Sequence, residues 1–164
     1  MHISPIIFCG KPVNYAKIDN TVSRSAQPKA GDFAWLRNRG VTDVINFRTM
    51  VVSNCDFDEK AITEALGMKY HNIPSISKAP KEENIAKFLD IVEGVRKKNG
   101  KVHIHCMAGA DRTGMYAYIY KTLNGIGKRS ENQIEMINFG HNYIRYPDLL
   151  PWVNEYLDKI LKTK

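Results

Sequence analysis

The stretch Val102-His103-Ile104-His105-Cys106-Met107-Ala108-Gly109-Ala110-Asp111-Arg112-Thr113-Gly114 leads from a short apolar run into a second one, Met115-Tyr116-Ala117-Tyr118-Ile119-Tyr120. The first run reads as a buried strand and the second as a buried helix. A glycine-containing loop between a strand and a helix is a natural anion site. Its backbone N–H groups turn inward, and the helix start adds the positive end of its dipole. A cysteine at the mouth of such a loop sits in a field that favours the thiolate over the thiol. Arg112, six positions after Cys106, can return to the concave side, where its planar fork matches two phosphate oxygens.

These residues are the equipment for covalent phosphoryl transfer through a phosphocysteine. Cys106 is the expected nucleophile. The amides of Met107, Ala108, Gly109, Ala110, Asp111 and Arg112 are the expected phosphate cradle. Thr113 can donate its hydroxyl to the sulfur. His105 is expected to order the loop through backbone hydrogen bonds and to help hold the thiolate. Gly109 is read as the point where backbone approaches phosphate closely. The competing reading is a structural cysteine at a strand end, with Arg112 in a surface ion pair.

His105-Cys106-x5-Arg112-Thr113-Gly114 resembles the signature of the cysteine-dependent protein tyrosine and dual-specificity phosphatase superfamily. The fuller form, His-Cys-x-x-Gly-Ala-Asp-Arg-Thr-Gly, is similar to the compact bacterial dual-specificity-like branch. Ser23-Arg24-Ser25-Ala26-Gln27-Pro28 resembles that branch's Tyr-Arg-Ser-Ala-Gln-Pro element, with Ser23 replacing Tyr. The likeness runs from about Val13 to Trp152. It implies hydrolysis of phosphotyrosine, with phosphoserine and phosphothreonine as further substrates, and no metal or other cofactor. A phosphoinositide or inositol phosphate is the alternative substrate. A phosphate-binding pseudophosphatase without turnover is the alternative function.

The chain departs from the pattern at the proton donor. Family members usually carry an Asp about thirty residues before the Cys, and here Ile73 to Ala79 holds no Asp or Glu. Asp111 is the expected replacement, because myotubularin-like and Sac-like lipid phosphatases resemble this arrangement. A carboxyl beside a phosphate dianion should have its pKa raised. In the competing reading Asp111 points away and braces the loop. Asp56 and Asp58, and a route through Ser77 or water, are further candidates. Arg24 is read mainly as structural.

At 164 residues the chain is expected to form one domain, 1–164, with a proper core. No apolar run approaches the ~20 residues of a membrane span, and Pro5-Ile6-Ile7-Phe8 is too short for a signal peptide. A cytoplasmic location is expected, or a periplasmic one if a leader has been removed. Cys9, Cys55 and Cys106 are odd in number and far apart, which argues against a disulfide framework. A reversible Cys55–Cys106 disulfide is the alternative. The net charge of +7 is scattered, with no stripe that interleaves cations and aromatics, so nucleic-acid binding is not expected. Zinc at His103-x-His105-Cys106 is disfavoured. Strand alternation puts both histidines on one face and the cysteine on the other. A sulfurtransferase fits the Arg-Thr-Gly exit poorly, and no Gly-Lys-Ser/Thr follows the glycines as a nucleotide loop requires.

The remaining pattern alternates strands and helices. Val13–Ile18 and Thr21–Ser23 read as a hairpin around Asp19-Asn20, and Val41–Phe47 and Met68–Ile73 read as strands. Phe33, Trp35 and Leu36 share a short helix that Gly40 stops. Ala61, Ile62, Ala65 and Leu66 share a second. Ile85, Phe88, Leu89, Val92 and Val95 form a helical stripe that begins near Pro80. Ser130-Glu131-Asn132-Gln133 has capping-box spacing, with Ile134, Ile137 and Met136 facing inward. A last helix uses Leu150, Val153, Tyr156, Leu157 and Ile160. The expected fold is α/β: a small, mostly parallel central sheet of four or five strands with helices on both sides. Its ligand site lies beyond the carboxyl ends of the strands.

Overall fold

The computed structural model describes residues 10–49 and 57–162; Cys9, Cys55 and Asp56 lie outside the described residues. Five strands form one sheet in the order β1-β2-β5-β3-β4. They are β1 (Ala16–Lys17), β2 (Val22–Ser25), β3 (Asp43–Asn46), β4 (Lys69–Asn72) and β5 (Val102–His105). β1 pairs antiparallel with β2, through the hairpin whose turn Asp19 closes by accepting the N–H groups of Thr21 and Val22. The other pairings are parallel, with β5 flanked by β2 and β3.

Among the described residues six helices cover the two faces: α1 (Asp32–Asn38), α2 (Glu59–Ala65), α3 (Glu82–Lys97), α4 (Arg112–Leu123), α5 (Arg129–Asn138) and α6 (Leu149–Lys162). The larger core gathers Ile45, Val102 and Ile104 from the sheet with Phe88, Tyr116, Met136 and Val153 from α3 to α6. A smaller core on the other face packs Phe33 and Leu36 of α1 against Val44 and Met68. α4 is buried without a break from Thr113 to Tyr120. A helix with no polar face must lie inside, and α4 lies between α5 and α6. After β4 the chain crosses through α3 back to β5, which lies beside β3. Strand order reverses there, and in an open α/β sheet such a switch opens a crevice beyond the strand ends. Cys106 follows β5 directly.

Three expectations need correction. Pro80 does not enter a helix, because α3 begins at Glu82 with Lys81 as its cap. α5 begins one residue before Ser130, and Glu131, not Gln133, closes its cap by accepting the N–H of Lys128 at 3.2 Å. Ile134 and Ile137 are exposed, whereas Asn132 and Met136 are buried. The last two lie four apart and so share a face. Asn132 is pinned there by donating to the carbonyl of Ile126, and that bond, with Met136 in the core, sets the rotation of α5.

Candidate active site

The loop 106–111 is held from outside, carbonyl by carbonyl. Cys106 O faces His105 Nδ1 at 3.1 Å, and Met107 O accepts from Gln27 N at 2.9 Å. Ala108 O accepts from Asn14 Nδ2 at 3.3 Å, and Gly109 O from Arg24 Nη2 at 2.7 Å. Ala110 O and Asp111 O take the N–H groups of Gly114 and Met115 in α4. In a planar trans peptide the N–H points opposite to the C=O. Tying each carbonyl outward therefore turns the N–H groups of residues 107–112 toward the concave side. Among the described residues none of these six donates to a protein acceptor. They are open N–H donors at the first turn of α4, a place where an anion is favoured.

Asp111 caps α4 by position but not by side chain. An aspartate there normally binds the first-turn amides and closes the anion site. Here Oδ1 accepts from His141 Nδ1 at 2.7 Å and from Asn142 N at 2.9 Å. Burial alone would push this carboxyl up. The His141 and Asn142 hydrogen bonds, with the nearby charges of His141 and Arg112, outweigh burial and hold its pKa below the ordinary carboxylate range. The rise expected beside a phosphate dianion belongs to the substrate-bound site; in the free protein the carboxyl is held low. The bonds that brace the loop also favour the ionised form.

Cys106 and Arg112 line one cavity of about 410 Å³, together with Met107, Ala108 and Asp111. Across it stand Ser75, Ile76, Ser77 and Lys78 of the loop after β4, and Arg145 and Tyr146 of the segment after α5. Arg112 Nη1 lies 3.5 Å from Ser75 O, and Ser75 Oγ shares a 2.7 Å hydrogen bond with Tyr116 OH of α4. Ser77 lines the cavity, as its candidate role requires. Asp58 does not; it is spent as the N-cap of α2, accepting from Ala61 N at 3.1 Å.

Thr113 Oγ1 is buried and makes no hydrogen bond, so the expected bond to sulfur is not formed. The chain turns into α4 at this residue and seals its hydroxyl in. Gly109 also differs from expectation. Its φ is +73°, and a Cβ there would lie 2.6 Å from Ala26 N and Ser25 C. The close approach is to the end of β2 on the convex side of the loop. Gly114 is confined too: a Cβ would come within 3.0 Å of Met136 Cγ.

Arg24 is buried behind the loop, with its guanidinium 4.0 Å from the Phe139 ring and 3.8 Å from Glu135. Burial brings its pKa down to about 10, against the opposing pull of Glu135 and Cys106, so it stays charged at neutral pH. His103 does not face the site. Ser23 and Ser25 hold its two nitrogens, and burial keeps its pKa well below the usual histidine value. His105 does serve the loop, and its Nε2 lies 2.7 Å from Glu59 Oε2.

Sequence reading missed Asn14, Glu59, His141, Asn142, Lys78 and Arg145. Gln27 was visible only as part of a hexapeptide. The others act across long sequence separations, without a motif.

The sequence profile of PTP-NADK, described as a DSP-PTPase phosphatase fused to NAD+ kinase, matches residues 11–144. No curated protein matches the chain. Among solved structures, a putative phosphatase (DUF442) from Shewanella putrefaciens is 23% identical. That match covers 91% of this chain and 92% of the other, with a TM-score of 0.76. P. aeruginosa TpbA in complex with pTyr is 22% identical, covering 86% and 83%, with a TM-score of 0.70. The core catalytic domain of the PP-IP phosphatase SIW14 from S. cerevisiae is 16% identical, covering 94% of each chain, with a TM-score of 0.71. These likenesses show a shared fold.

Proposed function

Because the chain belongs to the DSP-PTPase phosphatase family, as matched by PTP-NADK, and is a cysteine-dependent phosphatase, we propose that it hydrolyses phosphotyrosine through a phosphocysteine on Cys106. One observation supports this reading: the loop carbonyls are tied outward, which leaves six N–H groups free beside the cavity that Cys106 and Arg112 line. These donors need no reorganisation as charge develops on the equatorial oxygens.

In the first step the thiolate attacks phosphorus, the S–P bond forms and the P–O bond to the leaving group breaks. The described part of the cavity presents no carboxyl held protonated, which favours a leaving group stable as an anion. Tyrosine fits, since a phenol has a pKa of about 10 and an aliphatic alcohol a far higher one. In the second step water attacks phosphorus, the S–P bond breaks and phosphate leaves. The base for that water must be ionised, and Asp111 is held ionised. Its Oδ1 is occupied, while Oδ2 makes no hydrogen bond among the described residues. Asp111 is thus better suited as base than as acid. The TpbA structure with pTyr supports phosphotyrosine as the substrate.

Cys106→Ser tests the reading directly. The variant should bind inorganic phosphate and fail to hydrolyse p-nitrophenyl phosphate; turnover at the wild-type rate would remove the proposal. A wild-type protein that binds phosphotyrosine peptide without turnover would instead be a pseudophosphatase.

A second reading rests on Lys78 and Arg145. Both line the cavity, and neither has a carboxylate partner among the described residues. A phosphoanhydride would place its scissile phosphoryl in the loop and its leaving phosphate against these cations. Its leaving group ionises near pH 6 and needs no proton donor. The PP-IP phosphatase relative favours this substrate class. Loss of preference for a phosphoanhydride over an aryl phosphate in a Lys78→Ala, Arg145→Ala double variant would support it.

A further inference from the structure

Outside the cavity, a largely buried polar chain runs from Arg48, just after β3, to the backbone of Cys106. Arg48 Nη1 donates to Gln27 Oε1 at 2.8 Å, and Gln27 Nε2 donates to Glu59 Oε1 at 2.7 Å. Glu59 Oε2 meets His105 Nε2 at 2.7 Å, and His105 Nδ1 meets Cys106 O at 3.1 Å. The Glu59 and His105 side chains are both fully buried. Gln27 also ties its own N–H to Met107 O, so it touches the loop and Glu59 together.

The chemistry of each atom fixes the direction of this chain. A carbonyl only accepts, so His105 Nδ1 must carry a proton and donate it to Cys106 O. The imidazole could satisfy that carbonyl only if its ring plane were held. The partner that holds it is Glu59, whose two oxygens are both engaged. A buried carboxyl group with both oxygens bonded is costly to displace and therefore keeps the ring in one orientation.

We infer that Glu59 is a positioning residue of the phosphatase site, acting through His105 on the Cys106–Met107 peptide. That peptide carries the first N–H of the cradle, Met107 N–H, and the nucleophile's own carbonyl. With its C=O gripped, its N–H stays turned toward the phosphate. Without Glu59 the imidazole can rotate, the carbonyl loses its donor, and the peptide is free to turn. Glu59 touches neither substrate nor sulfur in this scheme. It is supplied by α2, whose first residue it is, and so couples that helix to the nucleophile. The inference rests on the phosphatase reading for its kinetic consequence, but the geometry of the anion cradle can be tested without turnover.

The variant Glu59→Met keeps the side-chain length but can neither accept from nor donate to His105 Nε2, so the ring loses its holder whichever of the two groups carries the shared proton. The expected result is a folded protein with weakened phosphate binding, read by calorimetry with inorganic phosphate, and a fall in kcat/KM on p-nitrophenyl phosphate. Both losses should be about tenfold, part of what one anion-hole donor contributes. In a His105→Asn background the amide can donate to Cys106 O without help, and Glu59→Met should then cause no further loss in either quantity. A structural role would instead lower the melting temperature while leaving the affinity of the folded protein unchanged. Phosphate affinity within twofold of wild type in folded Glu59→Met overturns the inference, as does an equal loss in the His105→Asn background. If the wild type binds phosphate but turns over no substrate, the phosphatase reading fails while the calorimetric arm still decides the role of Glu59.

Discussion

Asp111 reaches across to His141, 2.7 Å from Oδ1 to Nδ1, rather than back to the amides of its own helix. That single choice keeps the helix start open for an anion and keeps the carboxylate charged. Asp111→Asn retains an acceptor for Asn142 N but cannot take a proton from water. The phosphoenzyme should still form, giving a burst of p-nitrophenol equal to the enzyme present, followed by a steady rate lowered by about 10²-fold. The loss should not depend on the leaving group, because the slowed step follows its departure. A loss that grows as the leaving group becomes more basic would make Asp111 the acid instead.

The same carboxylate sets an acid limb in stability. Its folded pKa lies below its ordinary value. Its contribution is therefore complete above the ordinary carboxylate range and disappears as pH falls through the depressed folded value. Urea unfolding of wild type and Asp111→Asn should differ at pH 7 and converge as pH is lowered below about 4. A constant difference across that range would mean that the charge of Asp111 contributes nothing.

Gly109→Ala should be severe on two independent grounds. An alanine pays the left-handed strain at φ +73°, and its Cβ would meet backbone, not a flexible side chain, at Ser25–Ala26. Together these should cost more than about 3 kcal/mol, or force the loop off β2. Thermal melting separates the two outcomes. Either loss of stability or retained stability with loss of phosphate binding is expected, and a variant with both intact would contradict the close approach.

The sheet and the strand–loop–helix stretch that carries Cys106 and Arg112 were legible because each is local. A strand, a glycine loop and a buried helix lie in one continuous stretch, and the strand–helix alternation needs only periodicity. The supports were not legible because they come from elsewhere in the chain. Asn14, Arg24 and Gln27 bind the carbonyls of Ala108, Gly109 and Met107 from more than 75 residues away, and His141 binds Asp111 from beyond α5. A side-chain-to-backbone bond leaves no spacing to find. Ile134 and Ile137 show the converse failure. Their spacing suits a helix face, but a buried asparagine bond and a methionine turned that face outward.

Arg112→Lys keeps the charge and loses the fork. Lysine offers a compact ammonium that cannot bind two equatorial oxygens in one plane. The expected loss in kcat/KM on p-nitrophenyl phosphate is about 10²-fold or more, with phosphate binding weakened as well. The geometry at Ser75 O, 3.5 Å from Nη1, is too loose to account for a loss of that size. Steady-state kinetics with phosphate as inhibitor distinguishes the cases, and a variant as active as wild type would place Arg112 outside the site.

Arg24 separates function from stability. Burial lowers its pKa from 12.5 to about 10, which is a standing cost of about 3 kcal/mol at neutral pH. The sign follows from the cation: the folded state binds this proton more weakly, so the cost is full below the folded value and is relieved as pH rises through it. That net cost already includes the long ion pair with Glu135; against it stand the bond to Gly109 O and the contact with Phe139. Arg24→Met fills similar space and removes the buried charge, but leaves Gly109 O without its donor, at about 1–3 kcal/mol. The two terms nearly cancel, so the melting temperature should change little. Phosphate binding should still weaken by about tenfold, because the Gly109–Ala110 peptide is no longer held with its N–H toward the anion. Calorimetric titration with inorganic phosphate beside a thermal melt reads both quantities. A large loss of stability with unchanged phosphate affinity would make Arg24 a strut of the core rather than a holder of the loop.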